Sequence, residues 1–411
     1  MDLDLDYPAI SDLRRRAKRR IPHFAWEYLD SATGEETTKS RNEEDLDRVL
    51  LTPAILRGEV APDLRTTLLG RDYPLPFGVA PVGMSGMIWP GAEMILAALA
   101  RDLGIPYGLS TVACHLPDTV KPHIGDQGWF QLYPTRDTDV RRDILRRARE
   151  CGFHTLVVTA DIPAPARRER QRRAHLNQPM KISPSILAQV AMRPAWALGT
   201  LRHGRPRLRL MEDYARFLAE RPEGSLDSTK HMGYLLRTAP DWDYLAETLG
   251  EWDGPVIVKG VMEPADALRL RDMGVAAAWV SNHSGRQFDA SPSSVSVLPA
   301  VRAAVGPDYP LIFDSGIRSG LDIVRAIALG ADFVMLGRAF HYGLGAFGAK
   351  GAAHAAHILT EDIISTLGQI GVARPVEARD RLAHVGAFPP MAAPVAGATR
   401  GPVPRPAPKT A

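Results

Sequence analysis

Short apolar runs recur along the chain, each closed by a polar or glycine-containing turn: Phe77 to Ala80, Ile105 to Leu109, Trp129 to Leu132, Thr155 to Val158, Val256 to Val258, Ala276 to Val280, Leu311 to Phe313 and Phe333 to Leu336. Segments of helical periodicity lie between them, such as Ala92 to Leu103, Asp139 to Cys151 and Leu321 to Leu329. Several runs are continuously apolar, as parallel strands must be when helices cover both faces of a sheet. Eight such units predict an α/β fold, a (β/α)8 TIM barrel with a helical extension at its N-terminus. Periodicity does not report closure, so a doubly wound open sheet remains the alternative at this point.

The spacing breaks once. Between the fourth and fifth runs a long insertion, at about residues 165–250, carries Arg167-Arg168-Glu169-Arg170-Gln171-Arg172-Arg173. Residues 186–210 follow, with Met192, Trp196, Leu198 and Leu201 interleaved with Arg193, Arg202, Arg205, Arg207 and Arg209. A basic, Trp-bearing amphipathic segment suits peripheral contact with an anionic membrane, and equally a mobile cover over an active site. Six of the seven residues from Arg14 to Arg20 are basic. On a helix opening near Ser11-Asp12 they read as a solvated face, with an anionic surface as the alternative. Residues 1–375 are expected to form the barrel unit and 376–411 a C-terminal extension. From about residue 392 this extension is rich in Pro, Ala and Gly and is expected to be disordered.

Composition narrows the class. A net charge of +3 over 411 residues gives no support for nucleic-acid binding, and 45% hydrophobic content is ample for a core. The two cysteines, Cys114 and Cys151, are not spaced as metal ligands, so neither a disulfide framework nor a structural metal is expected. No apolar stretch has the length of a signal peptide or a spanning helix, which makes the cytoplasm the expected compartment, with the inner face of the membrane as a peripheral station.

In a barrel of this kind the active site is built at the C-terminal ends of the strands. Here those ends offer Pro81-Val82-Gly83, Ser110-Thr111, Gln131 and Tyr133, Thr159 and Asp161, Lys259, His283 and Arg286, Asp314 to Arg318, and Gly337-Arg338. The stretch Ser281-Asn282-His283-Ser284-Gly285-Arg286-Gln287-Phe288-Asp289 is the most informative. It sets an imidazole, which accepts a proton near neutrality, three residues from a guanidinium, which grips a carboxylate through two parallel hydrogen bonds. Asp314-Ser315-Gly316-Ile317-Arg318 and Leu336-Gly337-Arg338-Ala339 combine glycines, helix starts and arginines as a phosphate site does. No Gly-x-Gly-x-x-Gly opens a βαβ unit, which disfavours a nicotinamide-binding domain.

Together with Trp129-Phe130-Gln131-Leu132-Tyr133 and Thr159-Ala160-Asp161, these motifs resemble the FMN-dependent L-2-hydroxy acid oxidases and dehydrogenases over about residues 10–375. That family includes glycolate oxidase, L-lactate dehydrogenase, mandelate dehydrogenase and flavocytochrome b2. The resemblance implies that His283 takes a proton from the substrate while Asp161 holds the imidazolium, and that Arg286 and Arg168 clamp the carboxylate. Tyr28 and Tyr133 would hydrogen-bond the substrate. Lys259 would sit beside flavin N1 and O2, and Ser110, Gln131 and Thr159 would contact the pyrimidine edge near Pro81, Val82 and Gly83. Asp314, Ser315, Gly316, Arg318, Gly337 and Arg338 would hold the ribityl phosphate. The implied cofactor is FMN, with no metal; the implied substrate is a lactate-like L-2-hydroxy acid; the implied assembly is a homotetramer.

The electron acceptor would be a quinone or another carrier, with an oxygen-using, peroxide-forming oxidase as the rival. A relative acting on a peptide-derived substrate and a non-catalytic FMN- or phosphate-binding barrel are further alternatives. Four positions depart from the family pattern: Ser284 and Ala166 stand where glycine is usual, Val82 where threonine is common, and Val112 where some glycolate-type oxidases carry tryptophan. These departures bear on substrate identity more than on reaction type.

Overall fold

The computed structural model describes residues 2–176, 183–219, 238–384 and 388. Eight parallel strands close into a barrel: β1 Phe77–Val79, β2 Tyr107–Ser110, β3 Gly128–Leu132, β4 Thr155–Thr159, β5 Val256–Val261, β6 Ala277–Val280, β7 Leu311–Phe313 and β8 Phe333–Leu336. Closure is made where β8 pairs with β1, Val334 opposite Phe77 and Leu336 opposite Val79, which excludes the open sheet. Nearly every strand residue is buried, as continuous apolar runs predict. The inward face packs Trp129, Val157, Ile257, Trp279, Ile312 and Phe333. Gly78 lets β1 pack closely on its neighbours, since a Cβ there would lie 2.7 Å from Pro106 and 2.8 Å from Met335. An antiparallel hairpin, Thr66–Leu68 with Arg71–Tyr73, plugs the N-terminal end, where Tyr73 meets Phe333 at 5.5 Å.

The N-terminal extension crosses the other end. Helix Ile10–Arg20 buries Leu13 and Ala17, and Ala17 fits against Gly345 of helix Arg338–Phe347, where a Cβ would come within 2.9 Å. Its basic run is more than a solvated face. Arg14 pairs with Asp30 at 2.8 Å, and Arg16 bonds Tyr7 Oη at 3.0 Å and the Ala346 carbonyl at 3.1 Å. Arg20 reaches the same carbonyl, so two cations serve the unsatisfied C-terminal end of a helix. Lys18 and Arg19 remain exposed.

Within the insertion lie helices Glu169–Arg173, Pro184–Ala191, Pro194–His203 and Arg209–Ala219. They are docked on the barrel mouth. Trp196 is 3% exposed, donates Nε1–H to the Met87 carbonyl at 3.1 Å and packs edge-on against Phe24 at 5.7 Å. Gln189 accepts the Phe24 N–H at 3.2 Å, and Arg193 reaches the Ile21 carbonyl at 3.3 Å. The next helix, Trp242–Gly250, returns to the barrel's outer layer beside Thr138–Glu150, where the buried Arg141 pairs with Glu247 and Glu251. Among the described residues no helix is long and apolar enough to cross a membrane. The stretch from residue 392, expected to be disordered, lies outside the described residues.

Candidate active site

The C-terminal strand ends converge on one cavity of about 1220 Å³. At its centre His283 follows β6 in a left-handed backbone conformation, φ 54°, and Ser284 continues it at φ 53°. Two successive non-glycine residues in this region cost about 1–2 kcal/mol each, so the turn is held by its surroundings. Asn282 exchanges amide hydrogen bonds with Asn42 at 2.9 and 2.7 Å, the His283 N–H donates to Ser281 Oγ at 3.1 Å, and the Ser284 N–H donates to Ser315 Oγ at 3.0 Å.

The result aims His283 Nδ1 at Asp161, 3.0 and 3.1 Å from its two carboxylate oxygens. A close approach makes this possible. Gly260, φ +106°, lies at an irregularity in β5, and a Cβ there would sit 2.5 Å from Asp161 Cβ. Burial pushes the His283 imidazole below its ordinary pKa, Asp161 resists, and Lys259 and Arg168 add to the lowering. Burial alone would raise the Asp161 carboxyl, but His283 and Lys259 hold it below the usual carboxylate value. The ring is therefore neutral at neutral pH, with Nδ1–H donated to an ionised carboxylate and Nε2 free to accept a proton.

Lys259, inside β5 and buried, lies 3.0 Å from Asp314 and donates to Ser281 Oγ at 2.6 Å. Ser281 Oγ in turn donates to Asp314 at 2.6 Å, as does Ser315 Oγ at 2.7 Å. This differs from the expected phosphate role for Asp314: an anion engaged with an ammonium and two hydroxyls orients that ammonium and would repel a phosphate. On the opposite wall, Gln131 Nε2 donates to Thr159 Oγ1 at 2.9 Å. Ser110 does not line the cavity; its hydroxyl donates to Gln131 Oε1 at 2.6 Å, so it fixes the amide from behind.

Arg286 and Arg168 both line the cavity, and among the described residues neither has a carboxylate partner. Arg286 spends Nη1 on the carbonyls of Tyr28 at 2.8 Å and Ser31 at 2.9 Å and lies 5.2 Å over the Tyr28 ring. Burial, and then the neighbouring Arg168 charge, push its guanidinium below the ordinary value. Two cations facing one cavity without a counterion make an anion site. Tyr28 donates to the Gly83 carbonyl at 2.9 Å, and burial pushes the Tyr133 hydroxyl well above its ordinary range, keeping it a neutral donor.

At the β7 and β8 ends, Ser315 and Gly316 have φ of 86° and 96°, and a Cβ on Gly316 would meet the Asn42 carbonyl at 2.6 Å. Arg338 is buried. Its Nε and Nη2 hold the carbonyls of Leu29 and Ser31, while Nη1 is buried with no partner among the described residues. Arg318 also lines this end, shared with Glu43 at 2.9 Å, and Gly337 completes it. An orphaned guanidinium donor beside a glycine-lined cradle fits a phosphate. A neutral amide wall, one ammonium and this cradle in a single cavity fit FMN as a set.

Of the residues given a catalytic, substrate or cofactor role from the sequence, Ser110 and Asp161 stand behind the wall and the rest line it, Pro81 and Val82 included. Ser281, Gly260 and Asn42 were missed. Ser281 lay within the quoted motif, whereas nothing in the sequence relates Asn42 to a loop 240 positions away.

A family model described as FMN-dependent dehydrogenase matches residues 17–384. Among solved structures, the chain is 30% identical to one described as the monotopic membrane protein (S)-mandelate dehydrogenase, with 91% of this chain and 98% of that chain covered and a TM-score of 0.82. It is 28% identical to a mandelate oxidase with (S)-4-hydroxymandelic acid, covering 91% and 98% of the two chains at a TM-score of 0.75. A mandelate oxidase with (S)-2-phenylpropionate is likewise 28% identical, with 91% and 97% covered and a TM-score of 0.73.

Proposed function

The chain belongs to the FMN-dependent dehydrogenase family, and from that premise we propose that it oxidises an L-2-hydroxy acid with an apolar side chain to the 2-keto acid and passes the electrons to a quinone. The observation that carries the reading is the neutral His283 imidazole 3.0 Å from the ionised Asp161 carboxylate, in a cavity with two guanidiniums that have no carboxylate partner among the described residues. Arg286 and Arg168 bind the substrate carboxylate, Tyr28 and Tyr133 orient it, and His283 Nε2 accepts a substrate proton. Asp161 stabilises the imidazolium that forms. Gln131, Thr159 and Lys259 would hold the flavin ring, with Lys259 supplying a positive charge beside it. Arg338, Gly316, Gly337 and Arg318 would hold its phosphate. When bound, FMN supplies the acceptor for the two electrons that leave the substrate carbon.

Val82, Val112 and Ile162 line the same cavity, an apolar wall that would receive the substrate side chain and that the methyl of lactate would leave largely unfilled. Likeness to enzymes named for mandelate supports a larger side chain than the lactate-like one expected from the sequence. The test is anaerobic reduction of the holoenzyme by a graded series of L-2-hydroxy acids. Each buried methylene should improve apparent affinity by ~0.8 kcal/mol, about fourfold; a preference for lactate over every longer member refutes the apolar pocket. Reoxidation by a quinone analogue faster than by oxygen supports the dehydrogenase reading against the oxidase.

Leu187, Met192, Leu198 and Leu201 of the insertion are 59%, 62%, 70% and 82% exposed, with exposed Arg202 and Arg205 nearby in sequence. An apolar face bordered by cations supports peripheral attachment to the inner face of the membrane. Flotation with anionic vesicles, weakened by salt and by Leu198→Asp, tests it. The same reading takes residues 1–375 as the catalytic unit and the assembly as a homotetramer, which sedimentation measures.

A further inference from the structure

The cavity does not end at the catalytic groups. From His283 it continues outward beneath the insertion, where Ile186, Val190, Trp196 and Leu208 replace the polar strand ends as its wall. Leu187 and Leu201 line it as well, and at 59% and 82% exposure they place its mouth on the same outer face as Met192 and Leu198. The wall is fastened by the Trp196 hydrogen bond to Met87 and its packing on Phe24. With the side chain of the proposed hydroxy acid assigned to Val82, Val112 and Ile162, the outer chamber is left for a second ligand, and its apolar walls suit one without charge. Of the polar side chains that line it here, Arg207 and Glu212 pair with each other, whereas the Thr200 hydroxyl is buried with no partner among the described residues.

We infer that this chamber binds the second substrate, a quinone, with its alkyl tail between Val190, Trp196 and Leu201 and a ring carbonyl accepting a hydrogen bond from Thr200 Oγ1. The inference rests on the hydroxy acid oxidation proposed above and adds the acceptor's site and its route in from the apolar face. Over one cycle the hydroxy acid loses two electrons and two protons to become the keto acid. The quinone gains two of each to become the hydroquinone, and the protein is left unchanged.

The experiment is binding of a decyl-substituted benzoquinone to the holoenzyme in detergent-free solution, read by equilibrium dialysis, for the parent, Thr200→Val and Leu201→Asp. Valine is nearly isosteric with threonine and Leu201 is exposed, so both variants should fold. Loss of the hydroxyl should weaken binding about five- to tenfold, and a charge at the mouth about tenfold or more. The ratio of reoxidation by the quinone to reoxidation by ferricyanide should fall in parallel. Parent-like binding in both variants overturns the site. So does competition between the quinone and a long-chain hydroxy acid, which would assign the chamber to the organic substrate, or displacement by a tail-matched fatty acid, which would make it an acyl groove. A holoenzyme that no hydroxy acid reduces would instead refute the functional reading, and the dialysis result stands apart from that outcome.

Discussion

Replacing Asp161 with asparagine keeps the side chain's size and removes a negative charge 3.0 Å from His283 Nδ1. Asp161 is the group that holds the imidazole pKa up against burial, Lys259 and Arg168, so without it the pKa falls further below the ordinary value. The neutral ring is the base, and activity is lost as pH drops through its pKa. A lower pKa therefore carries the acid limb of kcat/KM to lower pH. The plateau falls as well, because the imidazolium formed during proton transfer loses a charge-assisted hydrogen bond worth ~1.5–3 kcal/mol. At ~1.4 kcal/mol per decade the loss is about 10- to 150-fold in rate. Anaerobic stopped-flow bleaching of the flavin, followed from acidic to neutral pH, measures both quantities. An acid limb that moves to higher pH, or a plateau equal to the parent's, would refute the assignment of Asp161 as the partner of a neutral base.

His283→Gln should cut turnover by about 10²- to 10⁴-fold while the purified protein stays yellow, because proton transfer is lost and the flavin's contacts are kept. Lys259→Ala removes the positive charge near the ring and strands Asp314; the flavin's two-electron potential should drop by about 30–60 mV, ~1.4–2.8 kcal/mol, in a dye-equilibrium measurement. Ser284→Gly relieves a left-handed residue at φ 53° and should raise the denaturation free energy by about 1 kcal/mol, read from urea midpoints; a decrease would mean the hydroxyl is needed where it stands.

The strands were legible because both of their faces are covered, which turns them into unbroken apolar runs. The longest discrepancy is in β5, which runs on through Lys259 to Val261 because the irregularity at Gly260 lets a charged residue sit inside a strand. Closure was not legible. It rests on Val334 meeting Phe77, a pairing between the two ends of the barrel that no local pattern encodes. His283, Arg286 and Arg338 could be found because strand ends are where barrels concentrate polar groups. Tyr28 came from the resemblance alone, since it sits on a helix of the N-terminal extension and reaches the site through Gly83. The basic run Arg14 to Arg20 could not be divided into structural and exposed members without the helix end at Ala346 that two of them cap. In the insertion the two readings, membrane face and cover, correspond to two sides of the same helices. Ile186 and Trp196 turn inward over the cavity, whereas Met192 and Leu198 turn out.

The central claim is that a flavin and the neutral His283 act together on one enantiomer of a 2-hydroxy acid. The visible spectrum of the purified holoenzyme, recorded anaerobically before and after each enantiomer of a long-chain 2-hydroxy acid, tests it most directly. The account predicts a flavin band that the L-enantiomer bleaches and the D-enantiomer leaves, with bleaching slowed at least about 10²-fold in His283→Gln. A colourless protein, or bleaching at the parent rate in that variant, would contradict it.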